Sequence, residues 1–318
     1  MKGVNYMDKK FEFYVASCDA EGGIYRYSFE NGTVQLREKI ALDSPMYMAK
    51  SGERLYVLLR APFEGSNESG LVTVENGIVS EPETTHGVVA CHLCIDKGRV
   101  YCVNYLSGNV VLMPDKIDVH SGSSIHPKRQ TVPHTHYVNV SPDGKYILAV
   151  DLGTDTIYTY DKELNKIAEA RVPAGHGARH LAFGGDYVYC ANELSSDISV
   201  FSYGDGRLTL VKNVPGLPAD FAGENIMAAI RISGNCLFAS NRGHDSIAVF
   251  RLNNGIPEID GFYSCGGSSP RDFDIINNIL ICTNEASDNV TFYEVDGTRL
   301  TKLDAELKIK APLCVIPC

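Results

Sequence analysis

The sequence predicts an all-β chain: a seven-bladed β-propeller with four antiparallel strands per blade. Three observations carry this. A short apolar run ending in a polar residue recurs seven times, at 13–18, 55–60, 100–105, 147–152, 188–193, 237–242 and 280–285. A second apolar run follows each, anchored at Ile24, Leu71, Val110, Ile157, Ile198, Ile247 and Val290, with spacings of 47, 39, 47, 41, 49 and 43 residues. No helix-period segment of useful length competes. Repeats of this length built from short strands mark propeller blades.

Within each repeat the elements follow in order. The recurring run and its anchor run are joined by turn residues, such as LSGN, GTD, LSSD, GHD and ASD, and read as a β-hairpin. In the last five copies Asn104, Asp151, Asn192, Asn241 and Asn284 lie six residues before the anchor. Their expected role is to hydrogen-bond the turn backbone. A third run precedes each hairpin, at 46–50, 91–95, 136–140, 179–183, 228–232 and 271–275. Weaker segments after the anchors, for example 167–172 and 208–211, supply the fourth strand. The first repeat lacks its opening run, and the C-terminal Pro312-Leu313-Cys314-Val315-Ile316 resembles Pro270 to Asp274. The terminal strand is therefore expected to complete the N-terminal blade. Such closure hides sheet edges that would otherwise template aggregation. The whole chain, 1–318, reads as one domain.

Composition narrows the function. The 318 residues carry 29 basic and 39 acidic side chains, a net charge of −10, with 44% apolar residues. An acidic chain of this kind disfavours nucleic acid as a partner. No stretch approaches the ~18 uncharged apolar residues of a membrane span. The segment from Met1 to Phe11 has no long apolar run, so no secretory signal is expected and the location reads as cytoplasmic. Most of the ten cysteines sit in apolar runs and read as buried reduced thiols. One CxxC, Cys91 to Cys94, lacks a second pair and lies in a strand, where residues three apart face opposite sides. No metal and no other cofactor are expected.

Propeller blades are radial, so the start of strand one and the end of strand two from every blade meet at one central opening, the default site. Read across the repeats, one strand-one slot holds Tyr47, His92, His136, His180, Ala229 and Asp272. Arg179 and Arg271 occupy the slot before it. The ends of strand two supply Tyr105, Glu193, Arg242 and Glu285. Three histidines in one axial slot, with arginines and carboxylates around them, point to a functional centre. A hydrogen-bonded polar plug is the bland alternative, and the flanking arginines disfavour a cation.

At these residues the sequence resembles the seven-bladed propeller lactonases. That family includes bacterial propeller-type 6-phosphogluconolactonases and fungal 3-carboxy-cis,cis-muconate lactonizing enzymes. The matching stretches include Pro133-His134-Thr135-His136, Gly177-Ala178-Arg179-His180, Asn192-Glu193-Leu194, Ser269-Pro270-Arg271-Asp272-Phe273 and the long run from Ser240 to Phe250, SNRGHDSIAVF. The resemblance implies catalytic His136, Arg179, Glu193 and Arg242. The chain departs from the family pattern at Ala178, at Ala229, at Ala16-Ser17-Cys18 and at Leu59-Arg60.

For lactone hydrolysis the expected roles are His136 as general base, Glu193 orienting it or the water, and Arg179 or Arg242 on the developing oxyanion. His92, His180, Arg271 and Glu285 are expected to bind the substrate, a small anionic lactone. There is no GxSxG nucleophile elbow and no P-loop. Three functions stay open: a 6-phosphogluconolactonase, a carboxymuconate cycloisomerase, and a non-catalytic binding propeller. The oligomeric state is not readable.

Overall fold

A computed structural model of the chain describes residues 9–318. The first eight residues, part of the segment read for a targeting signal, lie outside the described residues. Seven antiparallel sheets follow one another along the chain. Blade 1 orders its strands Pro312–Pro317, Lys10–Ser17, Gly23–Glu30 and Thr33–Ile40, so the C-terminal strand does close the ring. The registers Val15↔Val315 and Tyr14↔Ile316 define that closure.

The inner strands of the other blades are Pro45–Ser51, Ala90–Asp96, Thr135–Val140, Ala178–Gly184, Ile226–Ser233 and Pro270–Ile276. Each contacts the next around one axis, and Pro312–Pro317 meets Pro45–Ser51 to finish the circle. The outer edge is less regular than the repeat suggests. In blade 2 it splits into Ile78–Val79 and Glu83–Val88, both paired with Glu68–Glu75. In blade 3 it is only Lys116–Val119, followed by a long connection through residues 120–134.

Seven apolar clusters hold the ring together, each between two neighbouring blades. Phe13, Phe29 and Val315 of blade 1 pack on Ile281 and Phe292 of blade 7, and Tyr189 and Val200 of blade 5 pack on Ile230 and Phe250 of blade 6. Both faces of a blade are therefore covered. This is why the second strands read as continuous apolar runs rather than alternating ones.

The repeated Asn and Asp residues latch blade to blade as well as closing their own turns. The amides of Asn104, Asn241 and Asn284 donate to the carbonyls of Thr85, Gly216 and Cys265 in the preceding blade's outer segment, at 2.8, 2.8 and 3.3 Å. In two of these turns the aspartate reaches forward. Asp155 accepts from the backbone N–H of Gly177 at 2.6 Å, and Asp245 from that of Ser269 at 2.7 Å. Both sit at positive φ, 55° and 53°, which aspartate tolerates in a tight turn. They pin the chain two residues before Arg179 and Arg271.

Every inner strand breaks register near its start. Its pairing skips from Pro45 to Tyr47, Ala90 to His92, Thr135 to Tyr137, Ala178 to His180, Pro270 to Asp272 and Pro312 to Cys314, and in blade 6 from Met227 to Ile230. The extra residue is a β-bulge, a device that re-aims side chains.

The bulge corrects the histidine alignment. Measured against the pairing, His92 and His180 are equivalent to Tyr137, whereas His136 is equivalent to Cys91 and Arg179. The equal spacing of 44 residues hides a one-residue offset, because the connection before blade 4 differs in length. The bulge also shifts strand parity at Cys91. Cys91 and Cys94 share one apolar cluster with Tyr101 and Val138 instead of facing opposite sides. All ten cysteines are unpaired thiols, eight of them buried.

Candidate active site

The bulge residues and the ends of the second strands converge at one mouth of the central channel. A cavity of about 300 Å³ there is lined by residues including Arg60, Arg129, His136, Glu193, Arg242 and Arg271. Glu193 follows the second strand of blade 5, Tyr187–Asn192, and its N–H donates to the Gly177 carbonyl at 2.7 Å. Arg242 ends the second strand of blade 6, Cys236–Arg242. Arg179 and His136 are bulge residues of blades 5 and 4.

Glu193 is the hub of this mouth. Its Oε2 accepts from Arg179 Nε at 2.9 Å and from Arg242 Nη2 at 3.0 Å, and its Oε1 accepts from Arg129 Nη2. The Glu193, Arg179 and Arg242 side chains are only 4%, 2% and 9% exposed. Burial by itself would raise the Glu193 pKa. Arg242, Arg179, His136 and Arg129 outweigh it and hold the carboxyl well below the usual carboxylate range. In turn, burial and the adjacent Arg242 lower the pKa of Arg179 to about 9, so it stays cationic at neutral pH. Both carboxylate oxygens are taken up by guanidinium groups. The sequence reading expects Glu193 to orient His136 or the water; its hydrogen bonds here run to Arg179, Arg242 and Arg129.

His136 is 6% exposed, and its Nδ1 has no hydrogen-bond partner. Burial, then Arg179, pushes its pKa well below the usual histidine value, so the ring is neutral at pH 7. The Tyr105 ring meets it edge-on, with centroids 5.6 Å apart. Arg271 lies across the cavity and donates to Glu285 Oε2 at 3.2 Å.

The expected residues divide by depth. His136, Glu193, Arg242 and Arg271 line the mouth, with Arg179 directly behind Glu193 and Glu285 bonded to Arg271. His180 lies deeper, 5.2 Å from the His136 ring. His92 does not reach the mouth. It stands between the rings of Tyr47 and Tyr137, at 4.2 and 4.3 Å, and lines the cavity at the opposite end of the channel with Lys50, Asn139 and Arg231. The register offset places it there, whereas the sequence reading expects it to bind substrate at the mouth. Asp272 is likewise engaged, accepting from Arg231 Nη2 at 2.8 Å.

One contributor escapes the repeat pattern, and a second, Arg60, ends the recurring run at 55–60 without being among the expected site residues. Arg129 comes from the 120–134 connection, where buried Gln130 donates to the Leu152 carbonyl at 2.8 Å and fixes the loop over the mouth. The only sequence signal was the length and basic character of that connection. Arg60 adds a further cation where the family pattern departs.

Comparison with known proteins agrees with this geometry. The family described as "Lactonase, 7-bladed beta-propeller" matches residues 12–317. A 6-phosphogluconolactonase of Bacillus subtilis (strain 168) is 32% identical over 351 residues, covering 96% of this chain and 98% of that protein. The crystal structure of a protein from Lactobacillus plantarum superposes with a TM-score of 0.90 at 27% identity, covering 98% of this chain and 100% of that one. The periplasmic gluconolactonase of Pseudomonas aeruginosa shares the fold at a TM-score of 0.85 and 22% identity, covering 97% of this chain and 99% of that one. The chain belongs to the seven-bladed β-propeller lactonase family. It is accordingly a lactonase-class hydrolase acting on a small-molecule lactone. Among the described residues, no helix is long and apolar enough to cross a membrane.

Proposed function

We propose that this chain hydrolyses 6-phosphogluconolactone to 6-phosphogluconate at the Glu193 mouth, with residues 1–318 acting as one catalytic domain. One observation carries the reading. Four arginines, Arg60, Arg129, Arg242 and Arg271, line the cavity against a single lining carboxylate, Glu193, with neutral His136 beside them. A surplus of guanidinium charge suits a substrate bearing a phosphate, which arginine forks bind through charge-assisted bonds. The Bacillus subtilis relative supports the same substrate.

In this reading neutral His136 takes a proton from water as the water oxygen attacks the lactone carbonyl. The carbonyl oxygen becomes an oxyanion held by Arg242 or Arg179, each such donor contributing roughly 3–4 kcal/mol. The C–O ring bond then breaks, and the ring oxygen leaves as a hydroxyl with the proton that His136 carries. Glu193 acts through the arginines: it holds three of them in place and does not itself titrate near neutral pH. Arg271, Arg60 and Glu285 sit where the phosphate and hydroxyl groups would be read. His180 supports the floor. In this reading the reaction belongs to the oxidative pentose phosphate route and the protein to the cytoplasm.

The test is direct. Freshly generated 6-phosphogluconolactone and unphosphorylated glucono-δ-lactone are assayed with wild type and Arg271→Ala. The reading expects hydrolysis of both above background and a rise in KM confined to the phosphorylated substrate in the variant. A wild-type rate equal to spontaneous opening of 6-phosphogluconolactone ends this proposal. Interconversion of carboxymuconate and its lactone in that case would assign the cycloisomerase reading instead.

A further inference from the structure

Beneath the Glu193 mouth the channel narrows to a small cavity of about 20 Å³, room for one water-sized particle. Cys91, His136, Arg179, His180, Arg271 and Asp272 are among its walls. The polar atoms around it are unusual in one respect. Arg179 Nη1, His136 Nδ1 and both ring nitrogens of His180 are buried without a hydrogen-bond partner. The three residues are 2%, 6% and 3% exposed. Native proteins pair such groups almost without exception, because an unpaired buried donor costs its full desolvation.

Charge selects the partner. Arg271 is offset by Glu285, and Asp272 by Arg231. The three guanidinium groups of Arg129, Arg179 and Arg242 face the one carboxylate of Glu193. Positive charge is left over, and Arg179 is its most buried carrier. The imidazoles add no charge but offer N–H groups. The pocket therefore presents a cationic donor and neutral donors to a space of one particle.

We propose that the floor of this channel is a binding site for a small monovalent anion of the halide class, held by Arg179 Nη1 and by ring N–H groups of His136 and His180. An anion there accepts a hydrogen bond from His136 Nδ1–H and leaves Nε2 carrying that ring's lone pair. The site holds irrespective of which lactone the mouth takes.

Crystals of the full chain grown in sodium bromide and measured at the bromine edge test this. The expected result is an anomalous peak between Arg179, His136 and His180. Replacing sodium methanesulfonate by sodium chloride at constant ionic strength should raise the thermal midpoint by roughly 2–4 °C once chloride exceeds its Kd about tenfold. His180→Phe, which fills the space, should abolish both signals. Should that variant not fold, the wild-type bromide measurement decides alone. Density without anomalous signal, which identifies a water, overturns the proposal, as does a thermal midpoint indifferent to halide.

Discussion

Replacing Glu193 by glutamine removes one negative charge from the middle of three guanidinium groups and changes little in shape. The structure sets the scale. Arg179 and Arg242, at 2.9 and 3.0 Å, are almost fully buried, so their charge cannot be returned to water. Arg129, 36% exposed, can turn outward and contributes less. Removing one partner of a buried ion pair costs about 3–5 kcal/mol, chiefly by stranding the remaining charge. At roughly 2 °C per kcal/mol for a chain of this size, the Glu193→Gln midpoint should fall by about 6–10 °C. The pH profile gives a second check. The Glu193 pKa is depressed in the folded state, so its contribution is fully present above the unfolded carboxylate pKa of about 4.3 and is lost as pH falls toward the folded value. The gap between wild type and variant should therefore be constant from pH 5 to 8 and begin to narrow only below about pH 4. Calorimetry across that range decides the matter. A variant within 1 °C of wild type at pH 7, or a gap that closes near neutrality, would refute the electrostatic account of this mouth.

Four further outcomes follow from the geometry. His136→Ala should lower kcat by about 10²–10⁴. The wild-type acid limb should fall well below pH 6.5, because burial and Arg179 depress the His136 pKa; a limb at or above 6.5 contradicts that environment. Deleting residues 311–318 should abolish cooperative unfolding, since it removes the inner strand of blade 1 and exposes Phe13, Val15 and the Pro45–Ser51 edge; unchanged circular dichroism melts would disprove ring closure as a stabilising feature. Asp245→Ala should cost about 1–3 kcal/mol through the unpaired Ser269 N–H and raise KM by loosening Arg271, whereas Asp245→Asn should recover part of both.

Much of this molecule is written in one dimension. Seven apolar runs, the last five with an Asn or Asp near their end, and a C-terminal strand resembling Pro270 to Asp274 determine the blade number and the closure. Repetition forces both: each blade can bury its two faces only against copies of itself. The same repetition brings Arg179, Glu193 and Arg242 to one mouth, because they occupy matching ends of the first and second strands. Only the tertiary structure decided the rest. The bulge shifts His136 by one residue relative to His92 and His180, and one residue in a strand is the difference between opposite sides. Hydrophobic periodicity does not record a bulge, since the extra residues here are themselves methionine, cysteine, histidine, arginine, alanine or leucine. Arg129 arrives from a connection with no counterpart in other blades, steered by a glutamine amide that binds a distant carbonyl. Glu193 reads in sequence as orienting His136 or the attacking water. In space three guanidinium groups bond to it, favoured by Coulomb attraction in a buried, low-dielectric mouth.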